Sequence, residues 1–462
     1  MQRKLVLIVV DGMTPAAFER AAESGRAPAL AFLAERGDYR RATSVFPSLT
    51  PVCLTSIATG AGPGVHHIPS LVWWNRQERR IVEYGSSFAA LRAAGLSQSL
   101  LDPIFNMNAR HLSRDAVTVY EALEDAGLVS AAVNITCYRG RHRYSPTLPG
   151  MSRAAYGPRR FFFYGLFESD RTGAPFAGRS RRAGSVDMYA AAVGRWLVTR
   201  DGFDFLAYYL STYDFASHLG GPDSAQAERA LEQTDAAIGA LFDAAGGPDE
   251  FLERYAVVLL SDHGQTPVAR VARLEERFED VAGEVVVAAS NRAAQVYLRP
   301  GARTEAADLA QRLDGFPAVE VTLRREGDDV IARREGADAP VEKLDHPDAA
   351  WRARSALANP NAGELLVSAT EGWELADLGG RHHAGGGSHG SLVAGDSLVP
   401  VVTVGLSAEL GAGSVAGEAD DARPEDRAPL ALGGRITDVV PAVLEHFGVA
   451  VPASMEALAG VR

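Results

Sequence analysis

Three short aliphatic runs end in acids. LVLIVV leads into Asp11, FLAYYL leads to Asp214 with His218 on the following turn, and VVLLS leads into the Asp262-His263 pair. In open α/β sheets ligands bind beyond the carboxyl ends of the strands, so acids at those points face one crevice. The i, i+4 spacing of Asp214 and His218 sets both on one side of a helical turn, where they can share an ion. A glycine-rich loop, AGGGSHGS, presents His389. Carboxylates mixed with imidazoles suit zinc, manganese or iron, whereas calcium and magnesium prefer all-oxygen shells. An isolated Asp after a strand is ordinarily a helix cap or a turn residue. The same pattern at every one of these places points to a metal centre with enough ligands for two ions.

A hydroxyl completes the set. In TSVFPSLTPVCLTSIATG, Pro47 and Pro51 flank Thr50 ahead of a helix expected from about Val52 to Ala58. A side chain at a helix N-terminus meets backbone N–H groups and a dipole that favour an anion. Thr50 can serve there as a simple cap. Beside metal ligands it can also serve as a nucleophile, because a metal-bound alkoxide is competent at neutral pH.

These residues need a scaffold. KLVLIVV, VSAAVNI, FDFLAYYL, YAVVLLS and LVPVVTVG recur between helical patterns at Thr14–Arg36, Asp115–Ala126, 186–200 and Ser224–Ala245. Buried strands alternating with helices predict an α/β fold whose central, mostly parallel sheet is covered on both faces. From 267 to 380 the texture changes to AAQVYLRP, a helix at Thr304–Leu313, and VEVTLRREGDDVIARREG with its Gly-Asp-Asp turn. That stretch is expected to be a smaller α+β insertion, or lid, in a catalytic core of residues 1–266 and 381–462. Residues 410–428 form a polar, acidic loop pattern.

A chain of 462 residues exceeds the usual size of a single compact core, which agrees with an insertion. With 46 basic and 58 acidic residues its net charge is −12, which disfavours a nucleic-acid polymer or an anionic membrane as partner. Cys53 and Cys137 are too few for a disulfide framework and fit a reducing compartment. No apolar run is long enough to span a membrane. A cytoplasmic protein is expected, and the sequence carries no signal for oligomeric state.

VVDG, FPSLTP with ATG after it, DxxxH, SDHG and GSHG follow one another in this order. Together they resemble the type I phosphodiesterase and nucleotide pyrophosphatase branch of the alkaline phosphatase superfamily, from Leu5 to about Thr403. ITDVVPAVLEHFGV resembles that superfamily's last helix. The resemblance implies an alkaline-phosphatase-like three-layer sandwich. It also implies that Asp11, Thr50, Asp262 and His263 surround one ion and that Asp214, His218 and His389 surround the other. The two divalent ions would be zinc, or manganese as in some members. The implied chemistry is in-line attack by Thr50 on phosphorus, followed by hydrolysis of the phospho-threonine. Cleavage of a nucleotide-like or other small diester is the expected activity; a phosphomonoesterase, a phosphonate hydrolase and a phosphoryl transferase are the alternatives. Against phosphonoacetate hydrolases, which resemble the chain in nucleophile and ligands, residues 81–342 contain no Lys to meet a substrate carboxylate.

One departure from the family concerns substrate. Where nucleotide pyrophosphatases carry an Asn that binds a non-bridging oxygen, this chain has Leu71 in HHIPSLVWWN. Asn75, Asn106 and Asn108 are candidate replacements. Residues 139–182 hold ten Arg against Glu168 and Asp170, so Arg139, Arg141, His142 and Arg143 either clamp an anionic group or form a solvated loop paired to acids. Asn75, Asn108, Arg141, Arg143 and His383 are the substrate-binding candidates. FFFYGLF at 161–167 is expected in core or lid packing. Trp73 and Trp74 stack on a base or pack internally, and His382 and His383 are candidate phosphate donors.

Overall fold

The computed structural model describes residues 3–148, 150, 152–169, 186–407 and 434–456. Its larger sheet has eight strands in the order Asp38–Thr43, Leu398–Val404, Tyr255–Leu260, Lys4–Val10, Phe205–Leu210, Ser130–Val133, Arg160–Phe163 and Phe167–Glu168. Lys4–Val10 pairs in parallel with both Phe205–Leu210 and Tyr255–Leu260. Leu398–Val404 and Phe167–Glu168 run antiparallel to their neighbours, so the sheet is mixed but mostly parallel.

The aliphatic run before Asp11 is continuous because both of its faces are covered. Leu5, Leu7 and Val9 enter one hydrophobic core and Val6, Ile8 and Val10 the other, one on each side of the sheet. On the second face lie the helices Val186–Thr199 and Ala225–Ala245, the latter started by Ser224, whose side chain accepts from Ala227 N. Helices on both faces of a mostly parallel sheet make a three-layer α/β sandwich.

A second sheet of six strands runs Val285–Ser290, Ala293–Leu298, Leu365–Ala369, Val319–Glu326, Asp329–Arg334 and Ala337–Pro340. Every pairing within it is antiparallel. The expected hairpin at Gly327-Asp328 is its Val319–Glu326 to Asp329–Arg334 connection.

Several boundaries differ from expectation for local reasons. The single helix expected over Thr14–Arg36 is two, Pro15–Glu23 and Pro28–Arg36, broken by Gly25 at φ 70° and by Pro28, which starts a helix but cannot continue one. The helix expected from Asp115 begins at Val119, because Thr118 and Glu121 form a capping box. The helix between the second-sheet strands Ala293–Leu298 and Val319–Glu326 is shorter than Thr304–Leu313, at Ala306–Gln311. FFFYGLF forms the sheet edge, with Phe161, Phe162, Phe163 and Phe167 buried. The 410–428 loop and part of 139–182 lie outside the described residues. Cys53 and Cys137 are buried and unpaired. Among the described residues no helix is long and apolar enough to cross a membrane.

Candidate metal centre

The parallel strands deliver their acids to one edge. Asp11 follows Lys4–Val10, Asp262 and His263 follow Tyr255–Leu260, and Asp214 sits in the first turn of the helix Thr212–Gly220 that follows Phe205–Leu210. That helix is held at its start by Asp187, whose Oδ1 accepts from Ser211 N at 2.9 Å and Thr212 N at 3.2 Å. Gly12 lets Asp214 close in, since a Cβ there would stand 2.6 Å from Asp214 Oδ1. The glycines before His389 act in the same way. A Cβ on Gly386 would lie 1.9 Å from the His218 carbonyl oxygen, so the loop is tightly fitted.

Two ligand sets result: Asp11, Asp262 and His263 in one, Asp214, His218 and His389 in the other, each with donor atoms within 4.8 Å of one another. His263 Nε2 lies 3.2 Å from Asp11 Oδ1 and 3.5 Å from Asp262 Oδ2. In the second set, Asp214 Oδ2 is 3.3 Å from His218 Nε2 and Asp214 Oδ1 is 4.0 Å from His389 Nε2. The His263 and His389 rings stack at 3.6 Å, which joins the sets.

The outer atoms of the ligands are all engaged. Nδ1 of His218, His263 and His389 donates to the carbonyls of Gly387, Gly264 and Ser48 at 2.8, 3.0 and 2.7 Å. Each imidazole therefore turns its Nε2 inward, the nitrogen a metal would take. Asp262 Oδ1 accepts from Gly12 N and His263 N, at 3.2 and 3.0 Å, and the Tyr209 hydroxyl donates to Asp11 Oδ2. Gln265 Nε2 donates to Asp214 Oδ1 at 2.7 Å. Asp262 Oδ2 has no hydrogen-bond partner in its buried position, and Asp11 Oδ1 meets only the His263 ring. Inward-facing atoms left bare while outward ones are bonded fit a divalent cation.

Charge points the same way. Burial, then repulsion from Asp214, raises the Asp11 carboxyl, and burial with Asp11 beside it pushes Asp262 well above the carboxylate range. Although burial opposes its charge, His263 is raised to about 10 by Asp262, Asp11 and Asp214. Burial and the repulsion of His263 drive His389 well down. Three carboxylates crowded this closely favour a cation among them.

Thr50 starts its helix, Thr50–Thr59, one residue pair earlier than expected from the sequence. Its Oγ1 lies 3.0 Å from His263 Nε2, so the hydroxyl faces the first ligand set.

The substrate candidates are dispersed. Asn75 Oδ1 accepts from Gln77 N and Glu78 N, both at 3.0 Å, which orients the amide in the turn after Val72–Asn75. Asn108 is bound to the 136–139 backbone: Nδ2 donates to the Thr136 carbonyl, and Oδ1 accepts from Tyr138 N and Arg139 N. Asn106 donates to Asp102 at 2.6 Å. Arg141 pairs with Glu121 at 3.0 Å and Asp125 at 2.7 Å, Arg139 pairs with Glu121, and Arg143 is exposed. His383 does join the centre. Its ring stacks on His218 at 4.1 Å while Nδ1 and Glu374 Oε1 are 2.7 Å apart. His382 is exposed, Trp73 is buried edge-on against His111, and Leu71 packs against the core.

Sequence reasoning passed over Asp187, Tyr209, Gln265, Asn291 and Glu374. Gln265 carried a signal, its place just after the Asp262-His263 pair. The others are brought in by distant segments.

Metal-competent clusters and a threonine at the carboxyl edge of such a sheet are the arrangement of a phosphoryl-transferring hydrolase. The family model for type I phosphodiesterase / nucleotide pyrophosphatase matches residues 5–392, and the chain belongs to that family of metal-dependent phosphoric ester hydrolases. Solved structures share the fold. Phosphonoacetate hydrolase from Sinorhizobium meliloti 1021 in complex with phosphonoformate aligns at 19% identity and TM-score 0.62, covering 96% of each chain. Murine ectonucleotide pyrophosphatase / phosphodiesterase 5 aligns at 14% identity and TM-score 0.63, covering 97% of this chain and 96% of its own. No curated protein matches the sequence.

Proposed function

We propose that this protein cleaves the diester bond of a nucleotide-like or other small phosphodiester through a phospho-threonine at Thr50, with two divalent ions, zinc or manganese, in the two ligand sets. The observation that carries this is the 3.0 Å approach of Thr50 Oγ1 to His263 Nε2 at a helix N-terminus. Bound divalent ions would supply Lewis acidity, lowering the pKa of the hydroxyl and offsetting charge on the transferring group.

The residues do the rest. Asp11, Asp262 and His263 hold the first position and keep Thr50 beside it; Asp214, His218 and His389 hold the second. As the Thr50 oxygen gives up its proton to solvent and bonds to phosphorus, the opposite ester bond breaks and its oxygen leaves as an alcohol with a proton taken from solvent. Water then attacks phosphorus, the Thr50–phosphorus bond breaks, and the hydroxyl is restored. In the first helical turn Pro51 has no N–H, and Val52 N and Cys53 N donate to the Leu49 carbonyl, so Thr50 N is the backbone donor left for a non-bridging oxygen.

Charge supports a diester over a monoester. A dianionic monoester calls for fixed cations around three free oxygens. Lys occurs only at positions 4 and 343, and Arg139 and Arg141 are occupied by Glu121 and Asp125. The absence of Lys from 81–342 also weighs against a phosphonate carrying a carboxylate. Two unpaired buried thiols agree with a cytoplasmic setting.

The test compares bis(p-nitrophenyl) phosphate, p-nitrophenyl phosphate and phosphonoacetate, with zinc or manganese, for wild type and Thr50→Ala. Diester preference that vanishes in the variant is expected. A faster monoester or phosphonate, or a Thr50→Ala protein that still turns over, overturns the assignment. Failure to hydrolyse any of the three moves the transferase alternative forward.

A further inference from the structure

The hairpin between Val285–Ser290 and Ala293–Leu298 turns on two residues, Asn291 and Arg292, with Asn291 at φ 56°. Asparagine tolerates that left-handed conformation better than most side chains. The turn is tied to the metal-binding loop: Arg292 N donates to the His389 carbonyl at 2.9 Å, and Leu375 N donates to the Asn291 carbonyl at 2.7 Å. Asn291 is 6% exposed. Ser290 Oγ donates to its Oδ1 at 2.9 Å, and its Nδ2 stands 3.4 Å from His389 Nε2.

The chemistry of that last contact is unambiguous. His389 Nδ1 faces the Ser48 carbonyl at 2.7 Å and so must carry the proton. Nε2 then bears the lone pair, and the amide must present its NH₂ to it. The same lone pair is the one His389 offers to an ion. When it is so used, the buried Asn291 NH₂ loses its acceptor beside His389, whose ring stacks on the His263 that Thr50 Oγ1 meets. A buried N–H without an acceptor is costly, so a substrate that brings an oxygen there is favoured.

We propose that Asn291 is a catalytic residue whose Nδ2 donates to a non-bridging phosphoryl oxygen of the substrate. It supplies from the second sheet a donor that the segment around Leu71 lacks. This rests on the phosphoryl transfer proposed for Thr50. A neutral amide matches a singly charged diester, because it binds an oxygen without demanding a second negative charge.

Asn291→Gly is the variant of choice, since glycine accepts the positive φ and removes only the amide; Asn291→Asp keeps the shape and introduces a like charge. Zinc content, kcat/KM for bis(p-nitrophenyl) phosphate and calorimetric binding of orthovanadate are compared with wild type. Expected are unchanged zinc, a fall in kcat/KM of roughly 10²-fold, parallel weakening of orthovanadate binding, and a deeper loss in Asn291→Asp. Unchanged turnover and orthovanadate binding in Asn291→Gly, or loss of zinc with the amide, would overturn the role. If wild type hydrolyses no ester, the assignment to Thr50 fails separately, and orthovanadate binding to the zinc-loaded proteins still decides whether Asn291 donates to a phosphoryl-like oxygen.

Discussion

Asp262 Oδ2 is the clearest single-atom sign of what the centre is built to hold, since a buried carboxylate oxygen without a partner is rare in a stable protein. Removing that ligand should remove its ion. Asp262→Asn is expected to lower bound zinc from two equivalents to one, and Asp214→Asn to do the same from the other set, by elemental analysis. Thr50 differs in kind. Six other ligands remain when it is replaced, so Thr50→Ala should retain its zinc while losing more than roughly 10³-fold in kcat/KM. A Thr50→Ala protein that lost metal in proportion to activity would make Thr50 a structural ligand and no more. At this scale His383 is instructive, because its nearness to the centre was legible from its place beside the GSHG loop. Glu374, which orients it, lies in a short strand that carries no motif.

Among the elements, the hairpin of Val72–Asn75 and Arg80–Glu83 displays one amide and one carboxyl side chain with different consequences. Asn75 follows Thr50 by twenty-five positions, and its oxygen accepts from the turn. Glu83 closes the second strand, fully buried, accepting from Gly85 N at 2.7 Å and from Ser86 N and Oγ. Burial raises its carboxyl from 4.5 to about 7, against the pull of those donors. The folded value lies above the unfolded one, so the fold binds this proton more tightly. Its contribution is complete below pH 4.5 and is lost as pH rises toward 7. Over that window Glu83 should cost roughly 3 kcal/mol or less. Denaturant melts of Glu83→Gln between those limits are expected to show a flatter decline than wild type; identical slopes would mean that Glu83 ionises freely in the fold. In the same way, the broken Thr14–Arg36 helix shows that an apolar periodicity does not reveal a change of direction, whereas Pro28 does.

For the molecule as a whole, the second sheet bears on the metal centre through Arg292 and Asp396. Both are 0% exposed and 2.8 Å apart. Asp396 also accepts from Thr266 Oγ1 at 2.8 Å and from Ser391 N and Oγ, residues that flank the SDHGQ and GSHG loops. Asp396→Ala leaves a buried guanidinium without its counter-charge, which should cost roughly 3–5 kcal/mol. Its melts should fall accordingly, and zinc affinity with them, because both loops lose an anchor. A variant as stable as wild type would mean that the Arg292–Asp396 pair adds nothing to the join between the two sheets.

The strands and the candidate ligand residues were readable along the chain because each is dictated locally. A strand covered on both faces must be continuously apolar, and metal ligation admits few residue types, so Asp11, Asp214, Asp262, His263 and His389 announce themselves at strand ends and in a glycine loop. Residues that act by proximity leave no such trace. Asn291 is what a tight hairpin turn would select in any protein, and Asp187 looks like any acid in a first helical turn. Only the tertiary structure turns the amide of Asn291 toward His389, because that contact depends on two segments nearly a hundred positions apart being laid together by a separate sheet.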